Sequence, residues 1–591
     1  MRQIETPVLI VGAGPTGLTA TGLLARYGVK TLTITRYPGT ANSPRAHITN
    51  QRTMEVFRDL GIEDKVKAVA TPNALMSNNI WATSFAGTEI ARLQTWGSGP
   101  ERRMDYELAS PSAMCNIPQH VMEPVLLAHA RELGGEFLFN TELLSMRQDA
   151  QRVYAVCRDR ITGEEFEIAS QYAIGADGDN SVVCQSIGFE TEGQMGLGAA
   201  INVWLEADLT QYTAHRPGTL YWMTQPGNNY WVGSGTWICV KPFTEWVLLF
   251  MYDPNQGEPD LSEQALIERA QSTIGDPQVK VKIKAVSKWT INQVHAKTMN
   301  KGRVLIAGNA AHRHPPANGL GTNTCVQDSF NLAWKLAYVL QGKASPALLD
   351  TYSTERQPVG QKVVERAMKS VRNMLPISNA MGFAPGQDTE AGWANVHELF
   401  SNSARGRARR KALQEAVQLQ NYQFNCHGVE MGQCYTSGAV VADGRTAPVP
   451  LRDPELYYQA STFPGRSLPH AWLQRGQESL STLDLVGQGR FTLIVGIGGD
   501  AWRAAAAQVQ KNLDVPLQVI SIGGPDCDAQ DVYGRWQQLS DISDSGALLV
   551  RPDRHVAWRI AEIDSCTQPA QTLEQVLQQI LALPAKASAA A

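Results

Sequence analysis

The sequence lacks the features that would place the protein in a membrane or on nucleic acid. No apolar run approaches the roughly 18 residues that a membrane span requires, and there is no sustained basic tract. Charged residues make up 18% of the chain and the formal net charge is -4, so neither sign dominates. We therefore expect a soluble protein with neither a membrane nor a nucleic-acid partner.

Closely spaced cysteine pairs are also missing. The nine cysteines are scattered and none belongs to a C-x-x-C pair, which argues against a disulfide framework and against a zinc site. We expect no cleaved signal peptide, because removing about 20 residues would delete an apolar strand and the glycine turn behind it. These patterns predict a cytoplasmic protein with reduced thiols, and 591 residues suffice for two or three domains.

A glycine motif lies near the start of the chain. Gly12, Gly14 and Gly17 form a G-x-G-x-x-G, with Ala13 and Pro15 between them, directly after the apolar strand Val8–Val11. A helix is predicted over Thr16–Tyr27 and a second strand over Thr31–Thr35, which makes a Rossmann-type βαβ unit. Such glycines let a pyrophosphate approach the helix N-terminus; the alternative is a tight turn without a ligand.

The residue after the second strand departs from the dinucleotide pattern. An acidic residue normally binds a ribose hydroxyl there, but this chain has Thr35 and Arg36. Arg36 is a candidate to stack on adenine or to contact a phosphate. The first motif therefore does not establish a dinucleotide by itself.

Two later segments have the same strand-to-glycine form. Asp177 lies in Gly175-Ala176-Asp177-Gly178 after a strand and is either a cofactor contact or a turn and helix-cap residue. In Gly308-Asn309-Ala310-Ala311-His312, Asn309 suits a ribityl hydroxyl. The loop Asn318–Asn323 follows Pro315-Pro316 and precedes a helix predicted over Asp328–Leu340, so its N–H groups suit the negative charge of a reduced flavin. Remote segments of this kind predict one large cofactor, FAD.

The chain divides by pattern into an α/β protein with an inserted β-rich unit. We expect a FAD-binding domain over 1–190 and 291–400, a β-rich substrate domain over 191–290, a linker over 401–440 and a separate unit over 441–585.

These motifs resemble those of the class A flavin aromatic hydroxylases, the family of para-hydroxybenzoate hydroxylase and yeast phenol hydroxylase, over roughly residues 5–375. The local sequence is nearer still to the 2,4-dichlorophenol 6-monooxygenases in Pro44–Arg52, Ile117-Pro118-Gln119 and the His-Arg-His-Pro-Pro run. Two positions depart from the family: Asn309 replaces an aspartate, and Cys184 replaces an arginine. Residues 440–560 resemble the thioredoxin-like C-terminal domain of the phenol hydroxylase branch; without C-x-x-C, a structural or oligomer-contact role is expected.

The resemblance implies a reaction. NADPH or NADH, bound transiently, reduces FAD; O₂ adds at flavin C4a, and the hydroperoxide transfers oxygen to an electron-rich ring. We expect a phenol or chlorophenol hydroxylated at the ortho position. Two alternatives stay open: a larger aromatic or polyketide-type substrate, and a FAD-binding protein without hydroxylase activity. A homo-oligomer, dimer or tetramer, is expected.

The resemblance also assigns roles to single residues. Arg45 and Gln119 match flavin or phosphate contacts, Pro316 faces the isoalloxazine, and Gly321, Thr322 and Asn323 lie at its pyrimidine end. His47 matches a pocket aspartate of yeast phenol hydroxylase and is the candidate catalytic base; the alternative is a histidine bonded within its loop. No metal is expected, and His312 and His314 are assigned structural or flavin-loop roles. Four aromatics are candidates for the substrate wall or for core packing: Trp222, Tyr230, Trp231 and Trp237.

Overall fold

Three large β-sheets organise the computed structural model, which describes residues 2–227, 234–384 and 386–584. The first sheet has six strands in the spatial order Asn300–Lys301, Val304–Ile306, Glu165–Gly175, Arg2–Val11, Thr31–Ile34 and Glu136–Leu138, and two further strands, Val153–Asp159 and Thr141–Gln148, continue from Glu165–Gly175. Val8, Leu9 and Ile10 have no exposed surface, so this parallel strand is covered on both faces.

The parallel strands bring the three glycine segments to one edge. Val11 pairs with Gly175, and Gly175 pairs with Ile306. The residues that follow these strands therefore leave the sheet side by side, at the carboxyl ends where α/β proteins bind ligands. Segments that are some three hundred residues apart in sequence meet at one crevice.

The second sheet is larger than the β-rich unit expected over 191–290. Its spatial order is His312–Arg313, Lys282–Ala296, Thr191–Glu206, Glu245–Tyr252, Gly235–Lys241, Gly218–Met223, Asn78–Ala82 and Glu89–Gln94. The last two strands come from the first part of the chain, and Asn78–Ala82 joins Gly218–Met223 in a parallel pair. A small fourth sheet joins Ile48–Thr49, Cys115–Asn116 and Thr71–Pro72.

The third sheet forms the C-terminal unit. Its spatial order is Glu478–Ser481, Trp472–Arg475, Ala529–Gln530, Leu517–Gly523, Phe491–Val495, Ala547–Val550 and Val556–Ile560. From Phe491 the chain runs strand, helix, parallel strand, helix and then an antiparallel pair before a last helix, which is the thioredoxin-like order. The turn that would carry C-x-x-C in a thioredoxin reads Gly496-Ile497-Gly498-Gly499.

Helices cover the sheets and fill the segment between the second and third units. The α-helices are Pro15–Arg26, Gln51–Leu60, Glu63–Lys67, Arg103–Ala109, Gln119–Glu132, Val182–Ile187, Thr210–Thr213, Glu263–Ile274, Gly321–Leu340, Asp350–Asn373, Leu375–Met381, Thr389–Leu399, Ala404–Leu419, Asn421–Phe424, His427–Met431, Asp500–Leu513, Arg535–Ser540 and Pro569–Ile580. Within the described residues, no helix has both the length and the apolar character needed to cross a membrane.

The segment 401–440 is not an open linker. It contains three helices, and Leu413, Ala416 and Val417 are buried in a cluster with Ile377 and Met381. Arg405, Arg407 and Lys411 are exposed, whereas Arg409 and Arg410 are half-buried and donate to the segment 395–401. The segment therefore belongs to the packed structure.

A buried ionic network joins the C-terminal unit to the FAD-binding unit. Arg551 donates through Nη1 and Nη2 to the two carboxylate oxygens of Glu355, at 2.6 and 2.9 Å. Lys335 Nζ donates to the same carboxylate at 2.7 Å, and Arg551 Nε donates to Asp553 at 3.0 Å. Burial alone would raise the pKa of Glu355. The charges of Arg551 and Lys335 lower this pKa by more than burial raises it, so the carboxyl stays ionised.

Candidate active site

The three positions of the first glycine motif require glycine for different structural reasons. Gly12 has φ +111°, and a Cβ there would lie 2.1 Å from the carbonyl oxygen of Ala176. A Cβ on Gly17 would lie 1.8 Å from the carbonyl oxygen of Gly12. Gly14 instead faces open space, since its nearest neighbour would be Glu123 Oε1 at 3.9 Å. Packing therefore requires the outer glycines, and the middle one leaves room for a ligand.

The N-terminus of the helix Pro15–Arg26 is free to bind an anion. Gly14 is the N-cap, no side chain caps the helix, and Pro15 occupies the first turn. The first-turn N–H groups and the helix dipole point to the space in front of Gly14. This geometry fits the pyrophosphate of FAD.

Glu123 lies opposite Gly14 and was not identified from the sequence. Its carboxylate accepts from the Ala41 amide at 2.5 Å and from Gln119 Nε2 at 2.6 Å, so it fastens the loop before Arg45 to the helix Gln119–Glu132. Burial raises its pKa, against the lowering effect of these hydrogen bonds and of Arg45. The side chain of Gln119 is thus held in place at the crevice.

Arg36 and Arg45 are exposed beside the first glycine motif. The Arg36 guanidinium lies 5.1 Å from the centre of the Tyr37 ring, and its Nη2 donates to the Tyr37 hydroxyl at 3.1 Å. Contacts of either arginine with FAD stay predictions.

Asp177 has the turn role that the sequence left open. Its carboxylate accepts from Ser181 Oγ at 2.6 Å and from the Val183 amide at 3.1 Å, at the start of the helix Val182–Ile187. Burial raises its pKa. A contact between Asp177 and FAD stays a prediction.

Gly308 and Asn309 close the other side of the crevice. Gly308 has φ +63°, and a Cβ on it would lie 2.3 Å from Thr16 Oγ1, so this segment abuts the first helix. The Gly308 amide donates to Asp328 Oδ2 at 3.0 Å. Asn309 is exposed, and its Nδ2 donates to Asp179 Oδ1 at 2.8 Å.

The loop before the helix Gly321–Leu340 is fastened by Asn323. This helix begins seven residues before the predicted Asp328, so Gly321, Thr322 and Asn323 form its first turn. Asn323 Oδ1 accepts from the Asn50 amide at 3.0 Å, and its Nδ2 donates to the carbonyl oxygens of Ile48 at 2.9 Å and Gly319 at 2.6 Å. The side chain is therefore occupied, and the first-turn N–H groups are what this end offers to a flavin.

His47 is held in one orientation by Asn116. Asn116 Nδ2 donates to the Cys239 carbonyl at 3.0 Å, which turns its Oδ1 towards His47 Nδ1 at 2.7 Å. His47 therefore carries its proton on Nδ1 and keeps a lone pair on Nε2. Burial lowers the pKa of His47 to about 4, so the ring is neutral at pH 7.

The other two candidate histidines are bonded locally. His312 Nε2 lies 2.8 Å from Asp328 Oδ2, and His314 Nδ1 donates to the Pro315 carbonyl at 2.7 Å. Burial lowers the pKa of His314 to about 4. Pro316 is exposed at the start of the loop.

The four candidate wall aromatics separate into different groups. Trp237 is fully buried and donates from Nε1 to Thr273 Oγ1 at 3.0 Å, so it is a core residue of the second sheet. Trp222 stacks on Trp81 with 6.5 Å between ring centres and belongs to the apolar cluster that contains Ile48, next to His47. Tyr230 and Trp231 lie outside the described residues.

Comparison with known proteins agrees with this arrangement. The FAD binding domain model matches residues 5–367, and the aromatic-ring hydroxylase C-terminal model matches residues 461–584. A 2,4-dichlorophenol 6-monooxygenase of Delftia acidovorans is 46% identical over 557 residues, which cover 94% of this chain and 95% of the relative.

Two solved structures also cover the whole fold. The flavin-dependent monooxygenase PieE in complex with FAD and substrate is 44% identical with a TM-score of 0.95, over 99% of this chain and 100% of that one. A ternary complex of aklavinone-11 hydroxylase with FAD and aklavinone is 32% identical with a TM-score of 0.80, over 98% of this chain and 100% of that one. The resemblance, the fold class and the FAD cofactor expected from the sequence are confirmed. The chain belongs to the FAD-dependent aromatic-ring hydroxylases and is a flavoprotein monooxygenase.

Proposed function

We propose that the protein hydroxylates a phenol or chlorophenol at the carbon ortho to the ring hydroxyl, using O₂ and NADPH or NADH. The observation that carries the proposal is the His47–Asn116–Cys239 hydrogen-bond chain, which leaves a lone pair on Nε2 of a neutral imidazole; the next residue, Ile48, belongs to an apolar cluster. The dichlorophenol 6-monooxygenase supports it, because position 6 is ortho to the hydroxyl of its named substrate.

His47 acts on the substrate hydroxyl. Nε2 accepts the phenolic O–H, which moves electron density into the ring and favours attack at the ortho carbon. As the proton arrives, Asn116 Oδ1 stabilises the charge through Nδ1–H. Because the pKa of His47 is lowered to about 4, the ring returns the proton readily once the substrate is hydroxylated.

Bound FAD, after reduction by NAD(P)H, supplies the activated oxygen. The chain supplies its placement: the helix N-terminus at Gly14 would bind the pyrophosphate, with Ala13 and Pro15 in the same turn. At the other end, the N–H groups of Gly321, Thr322 and Asn323 would stabilise negative charge on the flavin, and Pro316 would face its ring. Trp222 and Ile48 belong to one buried apolar cluster, and a substrate bound against it would be shielded from water.

A fused-ring phenol is the second candidate substrate. The match to the aklavinone-11 hydroxylase complex over 98% of this chain favours it. On this alternative His47 has the same role, and only the size of the accepted ring system differs.

We further propose a homo-oligomeric, cytoplasmic protein. The nine cysteines are all unpaired, and six of them are buried, which suits a reducing compartment. Analytical ultracentrifugation gives the oligomeric state, and a sedimenting monomer at micromolar concentration would overturn the assembly.

Oxygen uptake with product analysis tests the proposed function. Purified protein with FAD and NADPH or NADH is supplied with phenol, 2,4-dichlorophenol or a fused-ring phenol. The proposal expects a catechol from a single-ring phenol in near one-to-one ratio to O₂. Product from the fused-ring phenol alone would favour the second candidate, and NAD(P)H oxidation that yields only hydrogen peroxide with every ring would overturn both.

A further inference from the structure

Asn309 stands where the family carries an aspartate, and its amide is already engaged within the protein. Nδ2 donates to Asp179 Oδ1 at 2.8 Å, and Oδ1 accepts from Cys325 Sγ at 3.8 Å. The Gly308 amide is held by Asp328, which fixes the backbone just before Asn309. The side chain of Asn309 is therefore positioned by its neighbours, and it cannot supply a carboxylate.

Asp179 brings a carboxylate to this point. It lies in the turn between the strand Glu165–Gly175 and the helix Val182–Ile187, and it is exposed at the crevice. Both oxygens of Asp177 already accept a hydrogen bond, from Ser181 and from Val183, whereas only one hydrogen bond, from Asn309, engages an oxygen of Asp179. Asp179 is also close enough to Cys325 for its charge to act there: burial raises the pKa of Cys325 to about 12, and Asp328 and Asp179 add to the rise.

We propose that Asp179 supplies the carboxylate missing at position 309 and accepts a hydrogen bond from a ribityl hydroxyl of FAD. Asn309 Nδ2 donates to one oxygen of Asp179 and orients the group. A carboxylate offers about four acceptor positions on two oxygens, so the second oxygen serves the cofactor. Asn309 is then a positioning residue, and Asp179 is the residue that contacts FAD.

The pair holds one carboxylate, on Asp179, and one amide, on Asn309. Asp179→Asn removes the carboxylate altogether. Asn309→Asp alone places two carboxylates at hydrogen-bond distance, where like charges repel. The double variant Asp179→Asn/Asn309→Asp restores one carboxylate and one amide with their positions exchanged.

Titration of FAD into flavin-free protein, followed by flavin fluorescence, measures the effect directly. We expect Asp179→Asn to weaken FAD binding roughly 10- to 100-fold, the usual effect of losing a hydrogen bond to a charged group. Asn309→Asp should also bind more weakly, and the double variant should recover to within about threefold of the parent, as expected when coupling in a double-mutant cycle accounts for the loss. Flavin-free melting temperatures of all three variants should stay close to that of the parent, because both side chains are exposed.

A matched control is Asp350→Asn, which alters another exposed aspartate bonded to an asparagine amide, Asn300 Nδ2 at 2.9 Å. Its FAD affinity should not change. The proposal is overturned if Asp179→Asn binds FAD within twofold of the parent, or if the double variant binds no better than the weaker single variant. The titration uses neither NAD(P)H nor a phenol, so its result is independent of the substrate proposed above.

Discussion

The Gly308 amide donates to the carboxylate of Asp328 at 3.0 Å, although the two residues are 20 positions apart. The same carboxylate contacts His312 Nε2 at 2.8 Å and Arg356 Nε at 2.8 Å, and both oxygens are fully buried. Burial alone would raise the pKa of Asp328. Arg356 and His312 lower this pKa by more than burial raises it, so the carboxylate remains charged. The Asp328 carboxylate thus fixes the glycine segment at Gly308 against the helix that starts at Gly321.

Asp328→Asn should therefore lower both stability and FAD retention. The change leaves Arg356 buried without its charged partner, and breaking such a pair costs about 3–5 kcal/mol. Thermal melting and bound-flavin absorbance measure the two effects. Glu132→Gln, at an exposed pair with Lys65, should leave the melting temperature essentially unchanged; an equally small effect of Asp328→Asn would contradict the role given to this carboxylate.

Gly14→Ala and Gly17→Ala should fail in different ways. Gly14 has space for a methyl group, so Gly14→Ala should fold normally and lose FAD affinity by obstructing the pyrophosphate. Gly17→Ala places a Cβ 1.8 Å from the Gly12 carbonyl oxygen and should destabilise the protein even without flavin. Flavin-free melting temperature and FAD titration separate the two; equal melting temperatures for both variants would contradict this division.

His47→Gln should reduce coupled hydroxylation by about 10²- to 10⁴-fold, the usual contribution of a general base, while FAD still binds. Because the pKa of His47 is about 4, the acid limb of kcat/KM should not follow the ordinary histidine pKa near 6.5. His215→Gln, at an exposed histidine, serves as the control and should be neutral. Product yield per NAD(P)H consumed is the measurement, and normal coupling in His47→Gln would remove His47 from the mechanism.

Glu430 should make stability depend on pH. This carboxyl is 2% exposed, and burial raises its pKa to about 7. The folded protein holds the proton more tightly than the unfolded chain, so this stabilising contribution is complete below about pH 4.5 and is lost as pH rises through 7. A span of 2.5 pH units corresponds to about 3 kcal/mol at most.

Glu430→Gln isolates this effect, because Gln stays neutral while the other groups titrate as before. The parent should lose stability relative to Glu430→Gln between pH 5 and pH 8, by melting temperature or by urea midpoint. A constant difference across that range would mean that Glu430 is ionised throughout.

The sequence predicted those elements whose signals lie close together along the chain, such as the first strand, glycine turn and helix. Gly12 and Gly17 follow from strand, turn and helix signals within twenty residues, and the structure gives each a steric reason. The segment 401–440 escaped prediction because its apolar stripe is narrow and interrupted by arginines.

The site depends more on contacts between distant residues. His47 was identified by resemblance, but Asn116, which fixes its tautomer, is 69 residues away and has no motif. Asn323 was expected at the flavin, yet its side chain binds the backbone of Ile48 and Asn50. Such pairings depend on how the sheets pack, which no spacing in the sequence encodes.

The Glu355–Arg551 pair restricts how the C-terminal unit can be exchanged between relatives. A recombinant chain that joins these first 440 residues to another C-terminal unit keeps Glu355 and Lys335 but receives whatever lies opposite them. If that residue is not a cation, the buried carboxylate of Glu355 loses its bidentate partner and keeps only Lys335 as a charged neighbour. A foreign C-terminal unit can therefore replace this one without loss of stability only if it presents a cation where Arg551 lies.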